Sequence, residues 1–202
     1  MKKWLALAAT AVLGASLLIS GCGSSTNNAS SSGSKEVLKV AANPVPHAEI
    51  LEQVKPILAK EGVDLQIVEF TDYIQPNMAL SSHEVDANFF ANVPYQNNYN
   101  KDHGTNFVSF APVHIEPLAI YSKKIKDLKD LPNGAKVAIP SDPTNSARAL
   151  LLLQSAGLVT LKDPTGLTNT PFDVTSNPKN IQITELEAAQ IPRSIQDLDA
   201  AV

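Results

Sequence analysis

The run Ser141-Asp142-Pro143-Thr144-Asn145-Ser146-Ala147-Arg148 holds the residue types best suited to grip an anion. Read as a strand-to-helix junction, it offers the unpaired N–H groups and the positive dipole end of a first helical turn. Arg148 adds a fork whose shape matches a carboxylate. The same spacing fits a surface Arg148 paired with Asp142 equally well. A second concentration of side chains, Tyr73, Phe89, Phe90, Asn92, Tyr95 and Gln96, combines aromatic walls with amides. Aromatic faces suit a thioether or alkyl group, while amides and His114 can orient polar atoms. In extended chain Phe89 and Phe90 point to opposite faces, so one is expected to line a cleft and the other to enter the core. Tyr73 and Tyr95 also fit ordinary packing.

The four histidines, at 47, 83, 103 and 114, do not fall at zinc-site spacings. His83-Glu84 and His114-Ile115-Glu116 put their groups on different or merely alternate directions, and His83 and His103 read as solvated turn residues. The sequence therefore nominates no metal centre and no cofactor. There is no Gly-x-Ser-x-Gly elbow, no phosphate loop and no cysteine pair, so no enzyme is expected. Net charge is −4, and loss of Lys2 and Lys3 with the leader would make it −6. The dispersed acidic pattern leaves no footprint for nucleic acid. The Lys123-to-Lys129 stretch is interleaved with acids and reads as a solvated turn.

Cys22 is the only cysteine. Ahead of it lie Lys2 and Lys3 and an apolar run from Trp4 to Ile19, the head and body of a secretory signal. Small residues Ser20 and Gly21 give a peptidase access to the bond before Cys22, whose thiol can then take a lipid. The run is a little short of the roughly 18 apolar residues that span a bilayer, and no basic stop-transfer flank follows it. The expected layout is a lipoprotein signal peptide at 1–21, Cys22 as the lipidation site, and a flexible Ser/Asn/Gly tether over 22–35.

The elements that must position the candidate residues begin with an apolar strand, Val37–Ala42, broken by Asn43-Pro44-Val45-Pro46. Ile50, Leu51, Val54, Ile57 and Leu58 line one face of a helix that ends at Gly62 and is interrupted by Pro56. Asp64–Phe70 alternates as a strand, completing a βαβ unit. A short helix over Ile74–Leu80, a strand over Val85–Phe90, a helix over Pro94–Tyr99 and an extended stretch over Phe107–Tyr121 follow. In open α/β sheets ligands collect at the carboxyl ends of strands, so the loops at Asn43–His47, Thr71–Tyr73 and Asn88–Tyr95 should converge. A second unit runs through a strand at Lys136–Ile139 and a helix over Ala147–Ala156, capped by Asp142 or Thr144 and stopped at Gly157. Residues Lys162–Asn180 read as loop, Ile181–Leu186 as a strand, Ala188–Ile195 as a helix interrupted by Pro192, and Asp199–Val202 as the start of another strand.

Several of these segments, in fixed order, carry a resemblance. Ala41 with Asn43–Leu51, Phe70–Asn77, Asp86–Phe90, Val113–Pro117 and Glu187–Arg193 are similar to the methionine-binding lipoproteins of ABC importers, the NlpA type, over about Val37 to Val202. The resemblance implies an α/β, two-lobed, periplasmic-binding-protein-like fold of type II, with lobe 1 at 36–117 and lobe 2 at 118–202. It implies closure by hinge motion on L-methionine or a closely related amino acid or short peptide. Arg148 would grip the carboxylate, Asn145 would support that end, and Tyr73, Phe90, Tyr95 and His114 would surround the side chain and amine. The implied partners are an ABC permease and its ATPase, and the implied location is the extracytoplasmic face of the cell membrane, through lipid on Cys22. One position departs from the pattern: Phe90-Ala91-Asn92 stands where the family usually has Phe-Gln-His, so Asn92 replaces a common pocket histidine and can hydrogen-bond without carrying charge. The family also continues for several dozen residues past the point matching Val202, so the second lobe is expected to be incomplete and its return to lobe 1 missing. A surface lipoprotein in adhesion or envelope structure, or a truncated non-functional paralogue, is the alternative.

Overall fold

The computed structural model describes residues 36–202, and the signal segment, Cys22 and the tether lie outside the described residues. The described chain falls within one compact unit. It contains two separate three-stranded parallel sheets, of order β2-β1-β3 and β7-β4-β8. In the first, β1 (Glu36–Ala42) is central, between β2 (Val63–Glu69) and β3 (Ala87–Phe89). A central strand is covered on both faces, and this one ends in Val40, Ala41 and Ala42, all buried. The helix α1 (Glu49–Lys60) joins β1 to β2, with Pro56 inside it and none of its residues fully buried. Along β2 the expected alternation holds at Leu65, buried, and Gln66, exposed.

The helix α2 (Gln75–Ser81) and the helix α3 (Val93–His103) flank β3. Asn92 caps α3, its side-chain oxygen accepting from the Tyr95 N–H at 2.8 Å. The helix runs past the expected Tyr99 to His103 because its stop is Gly104, whose φ of 67° is left-handed and suits glycine. The strand expected from Val85 starts only at Ala87; just before it Asp86 bonds Lys39 twice, its backbone N–H donating to the Lys39 carbonyl at 2.9 Å and its carboxylate accepting the Lys39 N–H at 2.8 Å.

The second sheet is built around β4 (Lys136–Pro140), paired with β7 (Gln182–Leu186) and β8 (Ala200–Ala201). Val137, Ala138 and Ile139 are fully buried, and α4 (Pro143–Ser155) lays Ala149, Leu150 and Leu153 into one core with Val137 and Ile139. Helical spacing of three and four residues puts these side chains on one face, each large one worth about 1.5–3 kcal/mol of burial. Asp142 rather than Thr144 caps α4: its Oδ1 accepts from the Asn145 N–H at 2.9 Å and from the Thr144 hydroxyl.

The segment read as loop contains an antiparallel pair, β5 (Thr160–Leu161) with β6 (Val174–Ser176). The helix expected over 188–195 is reduced to α5 (Ile191–Ser194), preceded by a tighter turn at Ala188–Gln190. Between Phe107 and Ile120 the chain forms no helix or strand. It pairs only at its end, where Tyr121 bridges Ala201, and Val108, Phe110 and Ile115 stand more than four-fifths exposed.

Candidate functional site

The expected convergence of strand-end loops occurs. Asn43, just past β1, donates its side-chain amide to the carbonyls of Phe70 (2.8 Å) and Asp72 (3.0 Å), tying that loop to the one leaving β2. The Tyr95 hydroxyl donates to the Tyr73 carbonyl, tying the start of α3 to the same loop. Phe90 lies between those two tyrosines, with ring centroids 6.2 Å from Tyr73 and 5.8 Å from Tyr95. The aromatic wall is thus a real grouping, held by one hydrogen bond, one tilted ring contact and one edge-on contact.

The polar end is built around Asn145, 8% exposed at the first turn of α4. Its amide nitrogen donates to Asp142 Oδ2 at 3.0 Å, while its Oδ1 accepts from Arg148 Nη1 at 2.7 Å and from Asn92 Nδ2 at 3.2 Å. Arg148 Nη2 donates to the Glu116 carbonyl at 2.9 Å. Of the two readings of Arg148, the ion pair with Asp142 is not formed: among the described residues the guanidinium meets no carboxylate, and Asn145 stands between the two charges. A guanidinium has five N–H donors, and these two bonds use two of them. The remaining donors are free to receive an anion. Both ends of the Asn92 amide are engaged within the protein, to Tyr95 and to Asn145, so this residue braces the site.

His114 belongs to an adjoining cluster. Its Nε2 is 3.2 Å from Glu116 Oε1, and the same oxygen is 3.6 Å from Nε2 of buried His47. Phe89 packs edge-on against both rings, at 4.9 Å from His47 and 5.6 Å from His114. Neither phenylalanine enters the core as expected for one of them: Phe89 and Phe90 are both half-buried, one facing the histidines and the other the tyrosines. A three-residue strand at the edge of its sheet buries neither face completely. Glu116 joins the two clusters, its carbonyl held by Arg148 and its carboxylate between the histidines.

Burial pushes the Tyr95 hydroxyl up to about 12, with Asp142 nearby adding to the effect. Burial likewise raises Tyr73, helped by the charges of Glu116, Glu187 and Asp142. Both phenols therefore stay neutral donors, and three carboxylates lie close enough to Tyr73 to be felt. Burial lowers the His47 imidazole; Glu116 opposes that and His114 adds to it. His83 and His103 are exposed as expected, His103 stacked on Tyr99 at 4.1 Å.

His47, Phe89 and Glu116 are the residues whose part sequence reasoning missed. The signal for His47 was its place in the loop after β1. Glu116 is two residues from His114, but its other partners come from the turn after β1 and from α4, and no local pattern announces them. Two concavities of about 240 and 260 Å³, lined by the α2 face and by residues around Ile120–Leu128, contain none of these residues.

A family model described as NlpA lipoprotein matches residues 38–202. The chain is 42% identical over 202 residues to the D-methionine-binding lipoprotein MetQ of Salmonella typhimurium, covering 99% of this chain and 72% of that protein. Among solved structures it is similar to a nutrient-binding protein from Burkholderia cenocepacia bound to methionine (TM-score 0.78, 47% identity, 82% of this chain and 70% of that one). It is also similar to the substrate-binding protein of a methionine transporter from Streptococcus pneumoniae (TM-score 0.79, 38% identity, 82% and 67%). The mixed α/β architecture is that of substrate-binding proteins of ABC transporters.

Proposed function

The chain belongs to the NlpA lipoprotein family, and from that premise we propose that it is the substrate-binding lipoprotein of an ABC importer, capturing L-methionine or a closely related amino acid or short peptide. The observation that carries the reading is the state of Arg148. Its guanidinium is half-buried, is held by Asn145 and the Glu116 carbonyl, and has no carboxylate of the described residues against it. A fixed, partly desolvated guanidinium with free donors is a receptor for a carboxylate. The carboxylates of Glu116, Glu187 and Asp142, whose field reaches Tyr73, supply the opposite sign that an ammonium group needs. Tyr73, Phe90 and Tyr95 supply a wall for an apolar or thioether side chain. Cation, anions and aromatic wall together fit a zwitterionic amino acid better than a simple anion.

In this reading residues 36–117 and 118–202 are the two lobes, each with its own sheet, and the ligand sits where the Asn92–Asn145 and Arg148–Glu116 bonds now cross between them. Asn145 and Asn92 position Arg148, and His114 bounds the pocket beside Glu116. Lipid on Cys22 holds the protein at the extracytoplasmic face of the cell membrane, and the tether keeps it near the permease and its ATPase at high local concentration. The test is a thermal-shift panel of the free L-amino acids, with cell fractionation of a Cys22→Ala variant. The reading expects the largest upward shift from L-methionine or a related apolar amino acid, and release of the variant from the membrane fraction. No shift with any amino acid at millimolar concentration defeats the binding reading, and a membrane-bound Cys22→Ala defeats the anchor.

A further inference from the structure

We propose that His47, His114 and Glu116 form a three-ligand site for a divalent transition cation of the zinc class. His47 lies in the turn after β1, whereas His114 and Glu116 come from the segment that follows α3. His114 and Glu116 both lie against His47, with the two imidazole centroids 5.3 Å apart and Glu116 Oε1 at 3.6 Å. One ligand atom from each of the three lies within 4.8 Å of the others. Glu116 Oε1 is 3.6 Å from His47 Nε2 and 3.2 Å from His114 Nε2. A zinc ion with bonds of about 2.0–2.1 Å at tetrahedral angles separates its ligand atoms by about 3.3 Å. The two measured edges bracket that value, and the third, between the two imidazoles, is held within 4.8 Å, so a movement of the partly exposed His114 side chain toward His47 closes the site.

The surroundings fit the same purpose. Phe89 stands edge-on to both imidazoles and restricts their rotation, which fixes donor directions before a cation arrives. His47 is buried at 6% exposure, while the side chains of His114 and Glu116 are 28% and 49% exposed, leaving a way in from solvent. Two imidazoles with one carboxylate favour zinc, copper or nickel over magnesium and calcium, which prefer all-oxygen ligands. Three protein ligands leave a fourth position open to water or to a donor atom of a bound molecule. The site shares His114 and Glu116 with the amino-acid reading but neither His47 nor Arg148, so each reading has residues that test it alone.

The experiment uses the full chain, stripped of metal, in equilibrium dialysis against zinc alone with elemental analysis, and in titration with cobalt(II) followed by visible absorption. The expected result is one zinc per chain and the intense cobalt bands of a four-coordinate site. His114→Gln and Glu116→Gln, both at partly exposed positions and checked for fold by circular dichroism, should each weaken zinc by about tenfold or more. His83→Gln and His103→Gln should leave it unchanged. Absence of saturable zinc, a weak six-coordinate cobalt spectrum, or zinc affinity unaltered in both Gln variants overturns the site and leaves the three residues as a hydrogen-bonded cluster. Because Arg148→Met is expected to abolish amino-acid binding and spare zinc, failure of one proposal is distinguishable from failure of the other.

Discussion

Asn145→Ala removes the side chain on which the polar half of the site is assembled. Its amide makes three side-chain hydrogen bonds: to Asp142 at 3.0 Å, from Arg148 at 2.7 Å and from Asn92 at 3.2 Å. Bonds to charged partners contribute about 1.5–3 kcal/mol each and a neutral one about 0.5–1.5. Asp142, Arg148 and Asn92 are only half-buried and regain water when Asn145 is truncated, which places the net loss near the lower end, about 2–4 kcal/mol. The helix cap survives, because Asp142 Oδ1 still accepts the backbone N–H of residue 145. Urea unfolding followed by circular dichroism measures the loss, and a double-mutant cycle with Arg148→Met isolates the Asn145–Arg148 term, expected at about 1–2 kcal/mol. A total loss under about 1 kcal/mol, or a coupling indistinguishable from zero, refutes the claim that Asn145 holds the guanidinium in place.

Tyr95→Phe removes the hydroxyl that donates to the Tyr73 carbonyl and should cost about 1 kcal/mol in urea unfolding, with a weaker aromatic wall. In the parent chain the Tyr95 phenol, raised to about 12, stabilises the fold fully below the ordinary phenol range and loses that contribution as pH rises from about 10 through 12; ultraviolet titration should show late ionisation of Tyr95, with Tyr73 and Tyr99 also delayed, and Tyr95→Phe should remove the late component near 12. Asp199 is held below the usual carboxylate range by the Lys136 N–H at 2.8 Å and by Lys124 Nζ at 3.0 Å. Its contribution is present above about pH 4 and lost as pH falls through the lowered value, so Asp199→Asn should lower Tm at pH 7 and make a shrinking difference as pH falls below the ordinary carboxylate range. Leu150→Ala opens a cavity in the fully buried α4–β4 core and should cost about 2–5 kcal/mol by urea unfolding, against under about 1 kcal/mol for exposed Phe172→Ala.

Much of the frame is written in local pattern. The apolar run before Asn43-Pro44, the three- and four-residue spacing from Ile50 to Leu58, and the alternation from Asp64 are enough to define β1, α1 and β2. The Asp142-Pro143 start of α4 is legible because an acceptor side chain followed by proline is the chemistry of a helix start. From the parallel order of strands, the convergence of the loops after β1, β2 and β3 follows. What escapes local reading is decided by tertiary partners. The β5–β6 pair hides in a Pro/Thr/Asn-rich segment because two- and three-residue strands carry too few positions to show a period. Phe89 escapes the core because β3 is short and its neighbours on that face are two imidazoles rather than aliphatic side chains. The bracing role of Asn92 and Asn145 depends on a bond between residues 53 apart in sequence.

The central claim is that Arg148, poised by Asn145 and without a carboxylate partner among the described residues, receives the carboxylate of an amino acid. Calorimetric titration of the chain and of Arg148→Met with L-methionine tests it most directly. The account predicts saturable heat at one site per chain for the parent and a loss of at least about a hundredfold in affinity for Arg148→Met, corresponding to about 2.7 kcal/mol for a charge-assisted bidentate contact. Equal affinity in the two proteins would contradict it.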